Sequence, residues 1–264
     1  MKNTIEWWEN KGGFFGEKYM EGDDSIDGFL PNTKQNLTER TQRETSGIIN
    51  LSKIKNGFKI LDIPCGYGRH SIALSKSGFE VVGMDINEEH LKKAKENSKG
   101  QKVIFLKKDM RDIGKENYAQ FDLVINMFYS FGFFEKEEYN EKSLVEFYSA
   151  LKEGGKFLLH TDVSPEMFEG GNYRLKEERE LENGRKLTIE EKYNPKNKRM
   201  EGSWTITSKN GKEELTPYSV RIYTKEEFER LAKKIGFKKV QFFGSFEGSK
   251  FTPSSTELIM VAEK

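Results

Sequence analysis

The sequence predicts an α/β fold, in which a doubly wound, mostly parallel sheet carries an inserted antiparallel sheet. Short apolar segments alternate with helical segments from about residue 35 to residue 165, as in a parallel sheet with crossover helices. A glycine turn joins the first apolar segment to the helical segment that follows it. Farther along the chain, Asn-Gly pairs separate alternating strand-like segments, a pattern typical of antiparallel hairpins.

The parallel part of the sheet is predicted from five apolar segments and the helices around them. The segment 121–127 is almost continuously apolar, which is typical of a strand buried on both faces. Asn87 is the expected N-cap of one helix, and Gly154-Gly155 is expected to end another. Strands are predicted at 58–63, 79–84, 102–107, 121–127 and 156–161, and helices at 35–54, 69–77, 88–97 and 136–151.

The inserted sheet is predicted over residues 173–221, where alternating segments are separated by turn signals at Asn183-Gly184, Asn194-Pro195 and Asn210-Gly211. This spacing predicts about four antiparallel strands. A helix at 224–235, with a capping box formed by Thr224 and Glu227, and two strands at 239–246 and 257–262 complete the chain.

The composition excludes several classes of protein. The formal net charge of +1 provides no global basic field, so nucleic acid is not an expected partner. No apolar run is long enough to span a bilayer, and the first residues lack the apolar region of a signal peptide. The single cysteine permits no internal disulfide, and with three histidines it forms no metal-ligand pattern. We expect a cytoplasmic protein without a metal, and the sequence does not predict its oligomeric state.

The segment 59–71, Lys-Ile-Leu-Asp-Ile-Pro-Cys-Gly-Tyr-Gly-Arg-His-Ser, has the layout of a nucleotide-cofactor site at the first βα turn of a doubly wound sheet. Asp62 indicates which class of cofactor the loop binds, because a carboxylate just before the glycines would repel a pyrophosphate. Ser71 occupies the position of the third glycine in the dinucleotide pattern G-x-G-x-x-G. S-adenosylmethionine (SAM) has no phosphate and a positively charged amino-acid end. It is therefore compatible both with Asp62 and with the absence of the third glycine.

On these residues the chain resembles a class I SAM-dependent methyltransferase. Within that superfamily it is similar to small-molecule methyltransferases with a loop of the L-D-x-x-C-G-x-G-R-H-S type. The resemblance extends from about residue 48 to residue 162 and, less closely, from residue 218 onward. It implies a seven-stranded Rossmann-like sheet that ends in an antiparallel hairpin, with SAM as the cofactor and a small molecule methylated at O or N.

The candidates for the cofactor site lie at the ends of the predicted strands. The resemblance implies that the glycine loop holds the amino-acid end of SAM near Asp62, and that Asp109 contacts adenine. Asp85 ends the second strand, where a carboxylate can accept both ribose hydroxyls. The full set is Asp62, Cys65, Gly66, Gly68, Asp85, Ile86, Asp109, Met110 and Asn126. The alternatives are an ordinary strand-to-helix turn, a helix-terminus charge at Asp85, a polar loop at Asp109 and a packed, unreactive Cys65.

The acceptor site is expected at the ends of the fourth and fifth strands, which by resemblance face the transferred methyl group. Tyr19, Tyr129 and His160 are the candidates for contact with the acceptor, and His160 and Tyr129 are also candidates for a catalytic base. Three other functions stay open. They are methyl transfer to nucleic acid or protein, a nicotinamide-dependent oxidoreductase, which Asp62 and Ser71 oppose, and a non-catalytic SAM-binding sensor.

These elements divide the chain into three predicted parts. Residues 35–165 and 222–264 form the SAM-binding core, and residues 166–221 form the inserted sheet, which caps the acceptor site. Residues 1–34 carry several aromatic side chains, whose large apolar surface is expected to pack against another part of the protein: Trp7, Trp8, Phe14, Phe15 and Tyr19. A lid over the cofactor cleft and a strap packed on the core are both open interpretations of this segment.

Overall fold

The computed structural model describes residues 6–16, 18, 19, 22, 35–168, 171–181 and 184–264. The chain divides into two compact units. The core unit consists of Arg43–Phe168 and Ile222–Lys264, and the inserted-sheet unit consists of Met1–Gln42 and Glu169–Arg221. In the described ranges, no helix combines the length and the apolar character that a membrane crossing requires.

The core unit contains a seven-stranded sheet. Its strands are β1 (Lys59–Asp62), β2 (Glu80–Asp85), β3 (Val103–Lys107), β4 (Phe121–Asn126), β5 (Leu151–Thr161), β11 (Lys238–Phe243) and β12 (Leu258–Glu263). They lie in the order β11-β12-β5-β4-β1-β2-β3. Strands β1 to β5 pair in parallel, whereas β12 is antiparallel to both of its neighbours. The predicted mostly parallel sheet and its antiparallel end are thus confirmed.

Five helices are described, and two of their starts confirm predicted caps. The Asn87 side chain accepts hydrogen bonds from the backbone N–H groups of Glu89 and His90, and Thr224 with Glu227 forms the capping box. These contacts satisfy backbone donors that a helix cannot pair internally. The helices are α1 (Leu37–Ser52), α2 (Arg69–Lys76), α3 (Glu88–Asn97), α4 (Glu137–Ala150) and α5 (Lys225–Ile235).

The strand order reverses at β1, which lies between β2 and β4. Asp62, the last residue of β1, is in register with Gly83 of β2 and Ile125 of β4. In an open α/β sheet the crevice outside the carboxyl ends of the strands at such a reversal is the usual ligand site. A fully buried apolar cluster supports these strands, and includes Ile48, Ile60, Leu74, Leu123, Ile125, Leu158 and Ile259.

The connection from α4 to β5 differs from the prediction. Helix α4 ends at Ala150 and β5 begins at Leu151, so the glycine pair lies inside the strand and does not terminate the helix. Gly154 has φ 73°, and the pairing of β5 with β4 shifts register between Phe121 and Leu123. The glycines therefore accommodate an irregularity in the strand, which the sequence signal for a helix end does not distinguish from a stop.

The inserted-sheet unit contains five strands, one more than predicted: β6 (Arg174–Leu181), β7 (Arg185–Asn194), β8 (Arg199–Ser208), β9 (Gly211–Glu214) and β10 (Tyr218–Arg221). The order is β10-β8-β7-β6, and β9 also pairs with β8. Strands β9 and β10 pair with successive parts of β8, and Pro217, which has no N–H, lies between them. The predicted turns at Asn194 and Asn210 are confirmed, whereas Asn183 lies outside the described residues.

The described aromatic residues near the N-terminus pack on the inserted sheet. The Phe14 side chain is buried, with its ring centroid 5.3 Å from that of Trp204 and 4.3 Å from that of Tyr218. Tyr19 stacks on Trp204 at 5.3 Å, and the Thr216 hydroxyl donates a hydrogen bond to the carbonyl of Gly12. Neither the lid nor the strap interpretation named the inserted sheet as the packing partner of this segment.

Candidate active site

The glycine loop between β1 and α2 is open at one glycine and tightly packed at the other. Gly66 has φ 53° and Gly68 has φ 84°, a left-handed backbone that glycine adopts without steric cost. A Cβ at Gly66 would meet no atom within 4 Å, whereas a Cβ at Gly68 would lie 2.9 Å from the side chains of Ala94 and Phe105. Gly66 therefore borders free space, and Gly68 permits close packing of the loop on its neighbours.

The carboxylate of Asp85, at the end of β2, connects the glycine loop to the start of α3. One oxygen accepts a hydrogen bond from the backbone N–H of Gly66 at 2.8 Å, and the other accepts one from the N–H of Asn87 at 2.8 Å. The backbone N–H of Cys65 donates to the carbonyl of Met84 at 2.8 Å. These bonds hold the loop against the carboxyl end of β2, and contact of Asp85 with ribose stays a prediction.

The carboxyl group of Asp62, at the end of β1, is almost fully enclosed. Its side chain accepts a hydrogen bond from the Ser71 hydroxyl at 2.6 Å. Burial raises the pKa of Asp62 to about 7, although the Ser71 hydrogen bond and the Arg69 charge act in the opposite direction. Burial also raises the pKa of Asp85, against hydrogen bonds from the backbone N–H groups of Asn87 and Gly66 and the charge of His90.

Cys65 lies in an apolar environment beside this loop. Its side chain belongs to a buried cluster with Ile72, Leu91 and Phe105. Burial, followed by the charges of the nearby carboxylates, raises the pKa of the Cys65 thiol well above its usual value. A thiol with a raised pKa is a poor nucleophile, so the geometry favours the packed Cys65 over a reactive one.

The loop after β3 carries Asp109, the predicted adenine contact, and Met110, another candidate for the cofactor site. Met110 is buried, and Ile86, which follows β2, is partly buried. Both oxygens of Asp109 accept hydrogen bonds from the Arg111 guanidinium, Oδ1 from Nε at 3.0 Å and Oδ2 from Nη2 at 2.6 Å. The Arg111 guanidinium lies over the Phe134 ring at 4.4 Å. Contact of Asp109 with adenine stays a prediction, and in this structure Arg111 is its charged partner.

The carboxyl end of β4 combines a buried amide with an unusual backbone. The Asn126 side chain is completely buried and donates a hydrogen bond to the carbonyl of Ile63 at 2.8 Å, which joins the ends of β4 and β1. Phe128 and Tyr129 follow with φ 53° and 50°, in the left-handed region that non-glycine residues rarely adopt. Such backbone conformations concentrate at functional sites.

His160 lies next to the end of β5 and is 1% exposed. Its ring centroid is 5.1 Å from that of Phe128 and 4.9 Å from that of Phe246, and its Nε2 atom is 3.5 Å from the Glu257 carboxylate. Glu257 also binds the Arg43 guanidinium at 2.5 Å. Burial would raise the pKa of Glu257, but His160 and Arg43 dominate and lower it to about 2. The catalytic role of His160 stays a prediction.

The structure brings most of the predicted site residues to one edge of the core sheet. Those in the core unit lie at or just beyond the carboxyl ends of β1 to β5: Asp62, Cys65, Gly66, Gly68, Asp85, Ile86, Asp109, Met110, Asn126, Tyr129 and His160. Tyr19 belongs to the inserted-sheet unit, where it stacks on Trp204. Its contact with an acceptor stays a prediction.

The sequence analysis missed Glu44, a completely buried carboxylate on α1. It accepts a hydrogen bond from Arg69 at 2.5 Å and lies 2.9 Å from the ring nitrogen of His70. One signal was available, because Glu44 precedes the inward-facing Ile48 by four residues and therefore lies on the same helix face. A charged residue on a buried face indicates a buried partner.

Comparison with known proteins agrees with this geometry. Residues 60–155 match a family model described as a methyltransferase domain. A glycine/sarcosine N-methyltransferase from Aphanothece halophytica is 34% identical over 156 residues, which are 55% of this chain and 59% of that protein. The chain therefore spans only about three fifths of the length of this relative.

Two solved structures share the fold of nearly the whole chain. The CcbJ methyltransferase from Streptomyces caelestis has a TM-score of 0.74 and 18% identity, and the alignment covers 92% of this chain and 97% of that one. SAM-bound CalS10, an amino pentose methyltransferase from Micromonospora echinaspora, has a TM-score of 0.66 and 20% identity, with 87% and 92% covered. At these identities the likeness is evidence for the fold alone.

The strand order, the open glycine loop and the carboxylates at the ends of β1 and β2 are typical of an α/β domain with a ligand site at the reversal of strand order. Residues 60–155, which match the methyltransferase-domain model, include this loop and both carboxylates, and the match agrees with the resemblance of the sequence to class I SAM-dependent methyltransferases.

Proposed function

We propose that this protein transfers a methyl group from SAM to a nitrogen atom of a small-molecule acceptor. The observation that carries the proposal is the open loop at Gly66, which Asp85 holds at the carboxyl ends of the central strands. The name of the relative from Aphanothece halophytica, a glycine/sarcosine N-methyltransferase, favours nitrogen over oxygen. The acceptor of this chain is not identified by that name.

The residues present fit SAM. The space beside Gly66 allows a ligand to approach the loop backbone without meeting a side chain. Each oxygen of Asp85 accepts one backbone N–H, and a carboxylate retains further lone pairs that can accept two ribose hydroxyls. Ile86 and Met110 provide apolar side chains for adenine. The Asp62 carboxylate has the sign that a positively charged amino group requires.

The chain contributes orientation to the reaction. SAM, when bound, supplies a methyl group on a positively charged sulfur, which is electrophilic without help from an acid. Asp85 and the Gly66 loop would hold the nucleoside in one position, so that most of the entropic cost of alignment is met on binding. We assign contact with the acceptor to Tyr129, whose phenol can donate or accept a hydrogen bond.

An amine attacks only in its unprotonated form, so its proton must be lost before transfer. His160 is enclosed by two aromatic rings and Glu257, and this environment suits a structural role better than exchange of a proton with an acceptor. In the proposed reaction His160 is therefore not the base, Tyr129 only orients the acceptor, and solvent removes the proton. Deprotonation by solvent predicts a rate that rises with pH until the acceptor amine is neutral.

The test is a methyl-transfer assay with purified protein, SAM and a panel of acceptors that includes glycine, sarcosine, an amino sugar and matched alcohols. Mass spectrometry measures S-adenosylhomocysteine and the methylated product. We expect the amines alone to gain a methyl group, and the Asp85→Ala variant to be strongly impaired. Methyl transfer only to alcohols would contradict the nitrogen assignment, and hydride transfer from NADH without any methyl transfer would contradict the class of reaction.

A further inference from the structure

We propose that Glu44 is a positioning residue, which acts through Arg69, His70 and Phe128 to fix the backbone at the end of β4. This group of four residues is called the Glu44 brace below. The inference rests on the proposed function only in one respect, namely that the end of β4 is where the acceptor is methylated. The brace itself is defined by contacts within the core unit.

The first part of the brace is a buried ion pair. Glu44 is completely buried on α1, and its Oε2 atom is 2.5 Å from Nη1 of Arg69 and 2.9 Å from Nε2 of His70. Arg69 and His70 are the first two residues of α2, directly after the glycine loop. A buried carboxylate held by charged nitrogen partners has little freedom to move, because displacement weakens these contacts in a medium of low polarity.

The second part of the brace is the contact with Phe128. The Arg69 guanidinium lies over the Phe128 ring at 4.5 Å from its centroid, and the His70 ring stacks on it at 5.7 Å and 26°. The His160 ring forms a T-shaped pair with the same ring, with 5.1 Å between centroids and 85° between planes. Phe128 is thus enclosed between two residues that Glu44 holds and a third that Glu257 holds.

The third part is the backbone that this ring anchors. Phe128 and Tyr129 both have positive φ values, 53° and 50°. Non-glycine residues stay in the left-handed region only when their surroundings determine the conformation, and two in succession require strong determination. The enclosure of the Phe128 ring fixes the backbone conformation at one of these two positions. Loss of the ion pair at Glu44 should therefore release the backbone at Tyr129, the residue assigned to the acceptor.

The direct test is hydrogen exchange in Glu44→Gln, measured by mass spectrometry on the peptide that contains residues 127–132. The amide of glutamine keeps the shape of the side chain but removes the charge that binds Arg69. We expect at least tenfold faster exchange in this peptide. Unchanged exchange there would overturn the brace, and this result does not depend on whether the protein transfers methyl groups.

Asp122→Asn is the matched control. Asp122 lies near the start of β4, at the opposite edge of the sheet, and its carboxylate also has two nitrogen partners, the backbone N–H of Lys59 at 2.8 Å and the Lys152 ammonium at 2.8 Å. This variant should lower the melting temperature while leaving exchange at residues 127–132 unchanged. Equal acceleration in both variants would indicate general destabilisation and would overturn a specific role of Glu44.

Kinetics then separate positioning from cofactor binding. In Glu44→Gln we expect kcat/KM for the acceptor to fall at least tenfold while the Kd for SAM changes less than threefold. Combining Glu44→Gln with Phe128→Leu should add little to either single change, because both act on the same backbone. An equal loss of SAM affinity, or additive losses in the double variant, would overturn the proposal. If Glu44→Gln does not fold, Phe128→Leu alone must show the faster exchange and the kinetic split.

Discussion

The carboxylate of Asp85 accepts a hydrogen bond from the backbone N–H of Gly66 at 2.8 Å, which links the end of β2 to the open glycine of the first βα turn. The two residues are 19 positions apart in the chain, and the parallel pairing of β1 with β2 brings them together. The same carboxylate holds the N–H of Asn87, the N-cap of α3. One side chain therefore supports both loops from which we expect SAM to be bound.

Asp85→Ala should weaken SAM binding by roughly 1.5–3 kcal/mol, the range for hydrogen bonds that involve a charged group. It should also lower thermal stability, because the N–H groups of Gly66 and Asn87 lose their acceptor. Calorimetry and thermal unfolding measure the two effects separately. Asp85→Asn, which keeps one acceptor oxygen, is the control and should be intermediate in both. Full SAM affinity in a folded Asp85→Ala protein would reduce Asp85 to a structural role.

Alanine substitutions at the two loop glycines should have different main effects, on SAM affinity at Gly66 and on stability at Gly68. Gly66→Ala places a Cβ in open space, so the protein should fold with a cost of about 1 kcal/mol for the left-handed backbone and should lose SAM affinity. Gly68→Ala places a Cβ 2.9 Å from Ala94 and Phe105, so it should destabilise the core unit. Thermal unfolding and SAM titration of both variants test this contrast. A stable Gly66→Ala protein with full affinity would mean that the loop does not contact the cofactor.

The affinity for SAM should depend on pH through Asp62. Burial raises the pKa of this carboxyl to about 7, above its ordinary value of 3.8. In the ligand-free protein its favourable contribution to stability is therefore complete below pH ~4 and lost as the pH rises through ~7. A bound ammonium group favours the charged form, so SAM should lower the pKa of Asp62. The ratio of the Kd for SAM in the wild-type protein to that in Asp62→Asn should then fall by about tenfold between pH 6 and pH 8.

The control for this prediction is Asp62→Asn, which has no carboxyl to titrate and keeps an oxygen for the Ser71 hydroxyl. The amino group of SAM itself titrates near pH 7.7–8.0, but it does so with both proteins. The difference between the two pH profiles therefore reports Asp62 alone. Parallel profiles for the wild-type protein and Asp62→Asn would exclude contact between Asp62 and the charged end of SAM.

Phe14→Ala should destabilise the inserted-sheet unit by about 3 kcal/mol, the cost of truncating a buried aromatic residue. Phe14 is 4% exposed and contacts Trp204 of β8 and Tyr218 of β10. Hydrogen exchange in peptides from β8 and β10 should accelerate, whereas peptides from β1 and β4 should not change. Phe15→Ala, at a partly buried neighbour, should have a smaller effect. Unchanged exchange in β8 and β10 would show that the aromatic segment does not stabilise this sheet.

Local signals in the sequence predicted the elements that depend on local chemistry. The N-cap at Asn87 and the capping box at Thr224 and Glu227 need only residues within one turn of each helix, and both are confirmed. The glycine loop is also local, since a strand, a turn and a helix follow one another within a few residues. Its position at the reversal of strand order follows from the parallel topology.

Features that depend on distant pairing were missed. Glu44 binds Arg69 and His70, which lie 25 and 26 positions farther along the chain, and no residue of α1 indicates these partners. The last part of the inserted sheet forms two short strands where one was predicted, because β9 and β10 share one edge of β8. The glycine pair at 154–155 marks a strand irregularity in this fold, although the same sequence signal ends helices in other proteins. In each case the tertiary contact selects between outcomes that the local sequence permits equally.

Isothermal titration calorimetry with SAM, S-adenosylhomocysteine and NADH tests the central claim most directly, because the claim is that the loop held by Asp85 binds a sulfur nucleoside. We predict saturable heat for SAM and S-adenosylhomocysteine with one site per chain, a weaker site in Asp85→Ala, and no saturable heat for NADH. Tight binding of NADH with no heat from either sulfur nucleoside would contradict the account.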